Sequence, residues 1–134
     1  MPLEIINYKT ITLSNLGFNT EQKWSANINV EFPVDEVVIK WVALNDANVG
    51  DPPRLTNLRS TLINNHVIFS YPAVNDSFYE VVNTPFKLHG VNINGIYVFT
   101  FEDGTSINPH IIGFDTHFSM VLLFIQYGKS KYHV

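Results

Sequence analysis

Five histidines are the residues with the greatest capacity for chemistry, and two of them have acidic neighbours near the end of the chain. His110, Asp115 and His117 form the most suggestive group, and Glu102 and Asp103 precede it. Imidazole and carboxylate groups hold zinc or iron when three of them converge. No His-x-His pair followed by Glu is present, and the other three histidines are scattered: His66, His89 and His133. We therefore expect ordinary surface or edge histidines and no metal site.

Other catalytic patterns are equally incomplete. Ser119 lies two residues after His117, but the sequence has no Gly-x-Ser-x-Gly motif that would present a serine nucleophile, and it has no cysteine nucleophile. Phosphate binding would need a glycine-rich loop before a helix, and none occurs. Glycosidase chemistry needs two carboxylates paired across a cleft, and no sequence pattern pairs any of the candidates: Asp35, Glu36, Asp46, Asp51 and Asp76. The sequence predicts no catalytic, cofactor-binding or metal-binding residues, and therefore no enzyme.

Aromatic residues are the other candidates for binding. Trp24 and Trp41 could stack on sugars, but both lie on the apolar parity of their strands, which predicts two core tryptophans. Tyr71, Tyr79 and Tyr127 fall near strand ends and are better candidates for an exposed aromatic platform. Such a platform suits protein contacts as well as glycans.

The composition narrows the class of protein. With 134 residues we expect one domain, 1–134, large enough to bury a core without disulfides, and cysteine is absent. Only 15% of residues are charged, the formal net charge is -4, and the eight Lys and Arg are scattered. A nucleic-acid binder needs clustered cations, so nucleic acid is not expected as a partner. No signal peptide and no membrane-spanning run is visible.

The positions of the polar and apolar residues predict strands rather than helices. Eight segments have the length and periodicity of strands, separated by turns rich in Asn, Gly and Pro. They are 4–14, 24–32, 36–44, 59–71, 77–82, 86–91, 95–102 and 116–127. Asn64 and Asn65 within 59–71 mark either a tight hairpin or a bulge in one long strand. The segment 24–32 shows the clearest alternation, with Ile28 and Val30 on one face and Asn27 and Asn29 on the other. The breaks at 45–58 and 106–115 are long enough to carry contacts.

The last segment is apolar on both parities. Met120, Leu122 and Phe124 fall on one face, and Val121, Leu123, Ile125 and Tyr127 fall on the other. A strand with one solvent-exposed face would alternate apolar and polar residues. This strand is therefore predicted to run through the middle of a sheet and to be covered on both sides. The cover on its second face could be a loop or another subunit.

Eight short strands without helix predict an all-β, antiparallel two-sheet β-sandwich. A jelly roll is our first choice, and an immunoglobulin-like sandwich is the alternative, although its Cys-Trp-Cys pattern is missing. Eight residues are predicted to be largely buried in its core: Trp24, Ile28, Val30, Ile39, Trp41, Val98, Leu122 and Phe124.

The strand pattern resembles that of the single jelly-roll proteins of virus particles, such as minor capsid, penton-type or satellite-type coat subunits. The resemblance runs from Ile5 to Tyr127, and three stretches carry it: 24–32, 95–101 and 118–127. Coat proteins that package RNA usually have a basic terminal arm, whereas this chain has only Lys129 and Lys131 near one end. The resemblance therefore implies a vertex, cementing, spike or attachment component, located in the virion.

Few charges, many aromatic residues and a closing strand apolar on both faces together predict a homo-oligomer. Threefold or fivefold rings are what the virion resemblance implies, with other virion proteins as possible partners. Two other functions fit the same sandwich. One is a module that binds a glycan or small ligand, and the other is a trimeric interaction domain of the TNF-like kind.

Overall fold

A computed structural model describes residues 3–14, 23–45, 54–73, 77–103 and 117–129. These residues form eight strands and one short 3-10 helix. The strands are β1 Leu3–Ser14, β2 Lys23–Asn29, β3 Val34–Asn45, β4 Arg54–Ser60, β5 His66–Ala73, β6 Ser77–Val91, β7 Asn94–Asp103 and β8 His117–Lys129. The 3-10 helix is Thr61–Ile63. In this part of the chain there is no helix long and apolar enough to cross a membrane.

The strands form two antiparallel sheets of four. The first sheet has the order β1-β8-β3-β6, and the second has the order β2-β7-β4-β5. The pairing is nested: β1 pairs with β8, β2 with β7, β3 with β6, and β4 with β5. The all-β antiparallel sandwich is therefore confirmed. The closing strand lies between β1 and β3, as its two apolar faces predicted.

The core lies between the two sheets. It contains Leu13, Ile28, Val30, Val34, Val37, Ile39, Val42, Leu58, Leu62, Ile63, Ile68, Phe69, Ile93, Phe99, Met120, Leu122 and Phe124. Five of the predicted core residues belong to it, namely Ile28, Val30, Ile39, Leu122 and Phe124. The side chain of Trp24 lies outside the described residues. Asn27 and Asn29 are exposed, so β2 has the one wet face that its alternation predicted.

Trp41 was predicted to be a core residue, and this prediction is wrong. The register of β3 against β8 shifts between Ile39 and Trp41, so that Lys40 is an extra residue. Beyond the extra residue the parity reverses. Val42 is therefore fully buried, whereas Trp41 is half-buried on the outer face of the first sheet.

Val98 was also predicted to be in the core, and it is half-buried on the outer face of the second sheet. Its strand, β7, is apolar on both parities, which leaves the inward face undecided from the sequence. Phe99 is fully buried and Tyr97 packs against the core, so the aromatic parity faces inward. The larger apolar area of the aromatic side chains favours this choice.

The predicted strand 59–71 is two strands. β4 ends at Ser60, the 3-10 helix follows, and Asn64 and Asn65 turn the chain with φ of 51° and 59°. Asn tolerates this left-handed conformation, so the pair closes a hairpin between β4 and β5. β4 begins at Arg54, inside the predicted break 45–58. The sequence of β4 is too polar to indicate a strand, because Leu58 is its only described apolar residue that is buried in the core.

The predicted strands 77–82 and 86–91 are one strand, β6. Pro85 lies in its middle, opposite Val38 of β3. Proline removes a ladder donor, and for that reason the sequence predicted a break. β6 is the edge strand of the first sheet, and proline is tolerated at an edge. The described residues form eight strands, the number predicted, because the hairpin within 59–71 adds one strand and the false break at Pro85 had added one too many.

A charged pair joins the open edges of the two sheets. Lys9 on β1 donates its Nζ hydrogens to the backbone oxygen of Asn29 (3.0 Å) and to Oε1 of Glu31 (2.8 Å). The hydrogen bond from Lys9 lowers the pKa of Glu31. Glu31 is largely exposed, so this pair orients the edges and contributes little stability.

Candidate functional site

The outer faces of the two sheets have different chemistry. On the first sheet, the outward side chains in the middle of the face are apolar on three adjacent strands, and we call this surface the β8 face. Its members are Val121 and Leu123 of β8, Val38 and Trp41 of β3, and Val81 and Pro85 of β6. Each is half-buried or exposed. No described loop covers them.

The strand register places these residues in rows across the sheet. Val121 and Val81 are both paired with Trp41, so the three side chains lie side by side. In the next row, Leu123 and Pro85 are both paired with Val38. On β1 the rows end at Thr10 and Thr12. The apolar part therefore consists of two rows over β8, β3 and β6, with a polar rim along β1. Lys40 of β3 and the exposed Asn83 of β6 lie between the two rows.

The outer face of the second sheet is more polar than the β8 face. Ser25, Asn27 and Asn57 point outward there, and Ser70 donates a hydrogen bond of 2.6 Å to Asn57 Oδ1. Ile96 is 72% exposed, but its partner on β2 is Asn27. Apolar residues on this face are therefore interrupted by polar ones. The sandwich has one outer face typical of contact with solvent and one that is not.

Ile125 departs from the rest of the outer side of β8. It is only 4% exposed, although it is not a member of the core between the sheets. Its register partners are Tyr8 on β1 and Glu36 on β3. The monomer therefore already covers Ile125, while Val121 and Leu123 retain exposed surface.

A cleft opens at the end of the first sheet, next to Ile125, and we call it the end cleft. Its volume is about 440 Å³, and its described lining residues are Leu3, Asp35, Glu36, Lys87, His89 and Tyr127. These residues come from the beginnings of β1 and β3 and the ends of β6 and β8. The topology thus brings two carboxylates, an ammonium, an imidazole and a phenol to one place.

Hydrogen bonds fix part of the end cleft. The backbone N–H of Tyr127 donates to Asp35 Oδ2 at 2.9 Å, and its phenol donates to Glu36 Oε2 at 3.3 Å. Burial of the phenol, followed by the charge of Glu36, raises the pKa of Tyr127 above its ordinary value. Tyr127 therefore stays a neutral donor at physiological pH.

Local backbone geometry explains why sequence analysis missed this cleft. Asp35 and Glu36 are adjacent, so a regular strand would point them to opposite faces. The register of β3 against β6 shifts between Val34 and Glu36, and both carboxylates line the cleft. On β6, His89 and Gly90 have φ of 59° and 77°, which bends the end of the strand beside Asp35. The Val-Asp-Glu start of β3 was the only available signal.

Most of the histidine and carboxylate group considered as a metal site lies outside the described residues. His110 and Asp115 lie outside the described residues, as do the side chains of Glu102, Asp103 and His117. Among the residues that are described, no three His, Cys, Asp or Glu side chains come together as metal ligands. His66 and His89 are exposed. The absence of a metal stays a prediction.

The remaining candidates divide between the two surfaces. Tyr127 lines the end cleft, and Trp41 lies on the β8 face. Ser119 is half-buried on the same side of β8 as Val121. The side chains of Tyr71 and Tyr79 lie outside the described residues, as do Asp46, Asp51 and Asp76 and the break 106–115.

Comparisons with known proteins show little similarity. No protein-family model matches the chain, and no curated protein matches it. A solved structure titled Desmodium yellow mottle tymovirus matches with a TM-score of 0.33 and 9% identity, over 99% of this chain and 87% of that one. A structure of turnip yellow mosaic virus matches with a TM-score of 0.27 and 8% identity, over 94% and 97%. Similarity at this level carries no argument about fold or function.

Proposed function

We propose that this protein is a non-enzymatic structural protein whose copies associate through the β8 face, and that it is a component of a virus particle. In this proposal residues 1–134 form one domain, and the protein is located in the virion. Its partners are further copies of itself and other virion proteins. The observation that carries the proposal is the β8 face, an apolar surface shared by three adjacent strands on the outer side of the first sheet.

The shape of the β8 face supports a second copy as its occupant. An apolar centre with a polar rim is complementary to itself when two copies meet about a twofold axis, and subunits in a ring can use it against a neighbour.

The size of the β8 face predicts how strong the contact is. Neighbouring strands are about 4.8 Å apart and each residue advances about 3.3 Å, so three strands over the four residues from Val38 to Trp41 measure about 14 Å by 13 Å. This area of about 200 Å² is roughly a quarter of what each partner contributes to a stable interface. We therefore expect a single contact to be weak and a closed ring, in which each subunit makes two contacts, to be more stable.

The edge strand β1 supports the same proposal. Leu3, Ile5 and Tyr8 on it are exposed, and Tyr8 is 71% exposed. β6 and β5, edge strands of the two sheets, contain Pro85 and Pro72, which weaken pairing with another strand. β1 has no proline in its twelve residues. β2 also has no proline, but it is an edge of the second sheet and has only seven residues. β1 is therefore the edge best suited to enlarge the contact.

The virion assignment rests on topology and on the resemblance of the strand pattern. The nested pairing of eight strands supports classing the sandwich as a jelly roll, an architecture used by viral capsid proteins, lectins and cupins. The scattered cations argue against binding of the genome, which again favours a vertex, cementing or attachment component.

The test is a pair of matched charge substitutions. Val121→Asp places a carboxylate in the centre of the β8 face. Val98→Asp places one on the outer face of the second sheet, where the valine is also half-buried on a central strand. Sedimentation equilibrium over a concentration series should show association for the wild type and for Val98→Asp, and a folded monomer for Val121→Asp. A wild type that remains monomeric at high micromolar concentration would contradict the proposal.

A further inference from the structure

We propose that the end cleft is a binding site for a neutral saccharide. This goes beyond self-association through the β8 face, because the cleft is a polar site at the end of the same sheet. Its lining combines hydrogen-bond acceptors, from Asp35 and Glu36, with donors, from Lys87 and His89. A sugar ring presents hydroxyl groups that donate and accept at neighbouring positions, and it requires such a mixed set.

The acceptors are held in place before a ligand binds. Asp35 is fixed by the backbone N–H of Tyr127, and Glu36 is fixed by its phenol. Each of these bonds uses one carboxylate oxygen. The second oxygen of each carboxylate accepts no hydrogen bond from any described residue. Fixed acceptors with unused capacity reduce the entropy that a ligand loses on binding.

The donors are also available. Lys87 is exposed on the edge strand β6, opposite Glu36 in the register, yet it forms no ion pair with a residue that the structure describes. His89 is likewise exposed and lies two residues further along the strand. No described residue pairs with the Lys87 ammonium, so its three N–H donors can bind a ligand.

The charges in the end cleft disfavour an anion, because phosphate would lie beside two carboxylates. The described carboxylates and histidine do not form a metal-binding group. A neutral ligand avoids repulsion from the carboxylates while it uses charged hydrogen bonds, which are the stronger kind.

The dimensions agree with a small ligand. A volume of about 440 Å³ is within the usual range for small-molecule pockets, about 300–1,000 Å³. Leu3 and the ring of Tyr127 provide the apolar surface that the C–H face of a sugar can contact. The cleft lies at a surface edge, so a terminal sugar of a longer glycan can enter it.

The experiment is saturation-transfer NMR on the full chain with a panel of methyl glycosides: glucoside, galactoside, mannoside, fucoside and N-acetylglucosaminide. Inorganic phosphate and ethylammonium are the charged comparison probes. At least one glycoside should bind saturably, and neither charged probe should compete with it. Glu36→Gln and Lys87→Ala should each weaken binding about tenfold or more.

Two control variants separate this result from loss of folding. Lys40→Ala removes a lysine of β3 outside the cleft, and Glu31→Gln removes a carboxylate that does not line it. Both should bind the glycoside as the wild type does. The proposal is overturned if no glycoside binds, if a charged probe binds instead, or if the cleft variants bind unchanged. Val121→Asp tests self-association separately and should leave glycoside binding intact.

Discussion

Ser60 is a fully buried polar residue at the end of β4, and its hydroxyl has a defined structural role. It precedes the 3-10 helix and its Oγ accepts a hydrogen bond of 3.0 Å from the backbone N–H of Leu62. Leu62 is itself buried, so that N–H has no access to water. The hydroxyl therefore satisfies a donor that would otherwise be buried without a partner.

Replacing Ser60 with alanine should lower the free energy of unfolding by about 1–2 kcal/mol, because the N–H of Leu62 then lacks its acceptor. Urea denaturation followed by tryptophan fluorescence measures this change. Ser14→Ala is the matched control, since Ser14 is exposed on β1. Equal denaturation midpoints for the two variants would show that the capping bond contributes nothing.

Tyr127 predicts a dependence of stability on alkaline pH. Because burial and the nearby carboxylates raise its pKa, the folded protein binds the phenol proton more tightly than the unfolded chain does. The resulting contribution to stability is complete below the ordinary pKa of 10.0 and is lost as the pH rises through the folded-state pKa.

Tyr127→Phe should remove this dependence. The difference between the wild-type and variant absorbance titrations should show one tyrosine that ionises above the ordinary pKa. The wild type should lose more stability than the variant between pH 9 and the folded-state pKa, as measured by thermal unfolding at each pH. Identical pH profiles for the two proteins would contradict the assignment.

At the scale of the element, the extra residue in β3 decides which side chains reach the core. Lys40 has no partner on β8, and Ile39 and Trp41 pair with consecutive residues, Leu122 and Val121. Removal of Lys40 should therefore leave a regular ladder with β8, with Ile39 and Val42 still facing inward. The bulge allows β3 to contain Lys40 while Trp41 stays on the outer face.

Deletion of Lys40 should give a folded protein whose free energy of unfolding is within about 2 kcal/mol of the wild type. Deletion of Val38 is the matched control and should prevent folding, because it reverses the parity of the buried Val37 relative to Ile39. Circular dichroism and thermal unfolding of both deletions test this. If the Lys40 deletion is less stable than the Val38 deletion, the register of β3 is determined by pairing with β6 and not with β8.

β8 contributes the most continuous part of the core. Met120, Leu122 and Phe124 are at most 1% exposed. Leu122→Ala should cost about 2–5 kcal/mol through lost burial and the remaining cavity. Thr12→Ala, on the polar rim of the neighbouring strand, is the control and should change stability by less than about 0.5 kcal/mol. Chemical denaturation curves with unchanged slopes would make the comparison valid.

At the scale of the whole molecule, the apolar character of the β8 face predicts how association responds to salt. Contact between apolar surfaces is strengthened by sulfate, which is excluded from protein surfaces, and sodium chloride has little effect on it. Light scattering should show tighter association in ammonium sulfate and nearly constant association over moderate sodium chloride. A steep weakening with sodium chloride would indicate contacts between charged groups instead.

The sequence alone determined the fold class, the central position of β8 and five residues of the core. Alternation in 24–32 and double-sided burial in 118–127 are local patterns, and each reflects how many faces of a strand are removed from water. These features could be predicted because they depend on neighbours in the sequence.

The tertiary structure decided which face each side chain occupies and which residues meet. A single extra residue at Lys40 moved Trp41 from core to surface, and no local pattern records such a shift, since it exists only relative to β8. Pro85 could be part of a strand only because β6 is an edge. The end cleft joins residues from four strands, and the β8 face joins residues from three. Both arise from strand register between segments far apart in the chain, which one sequence does not contain.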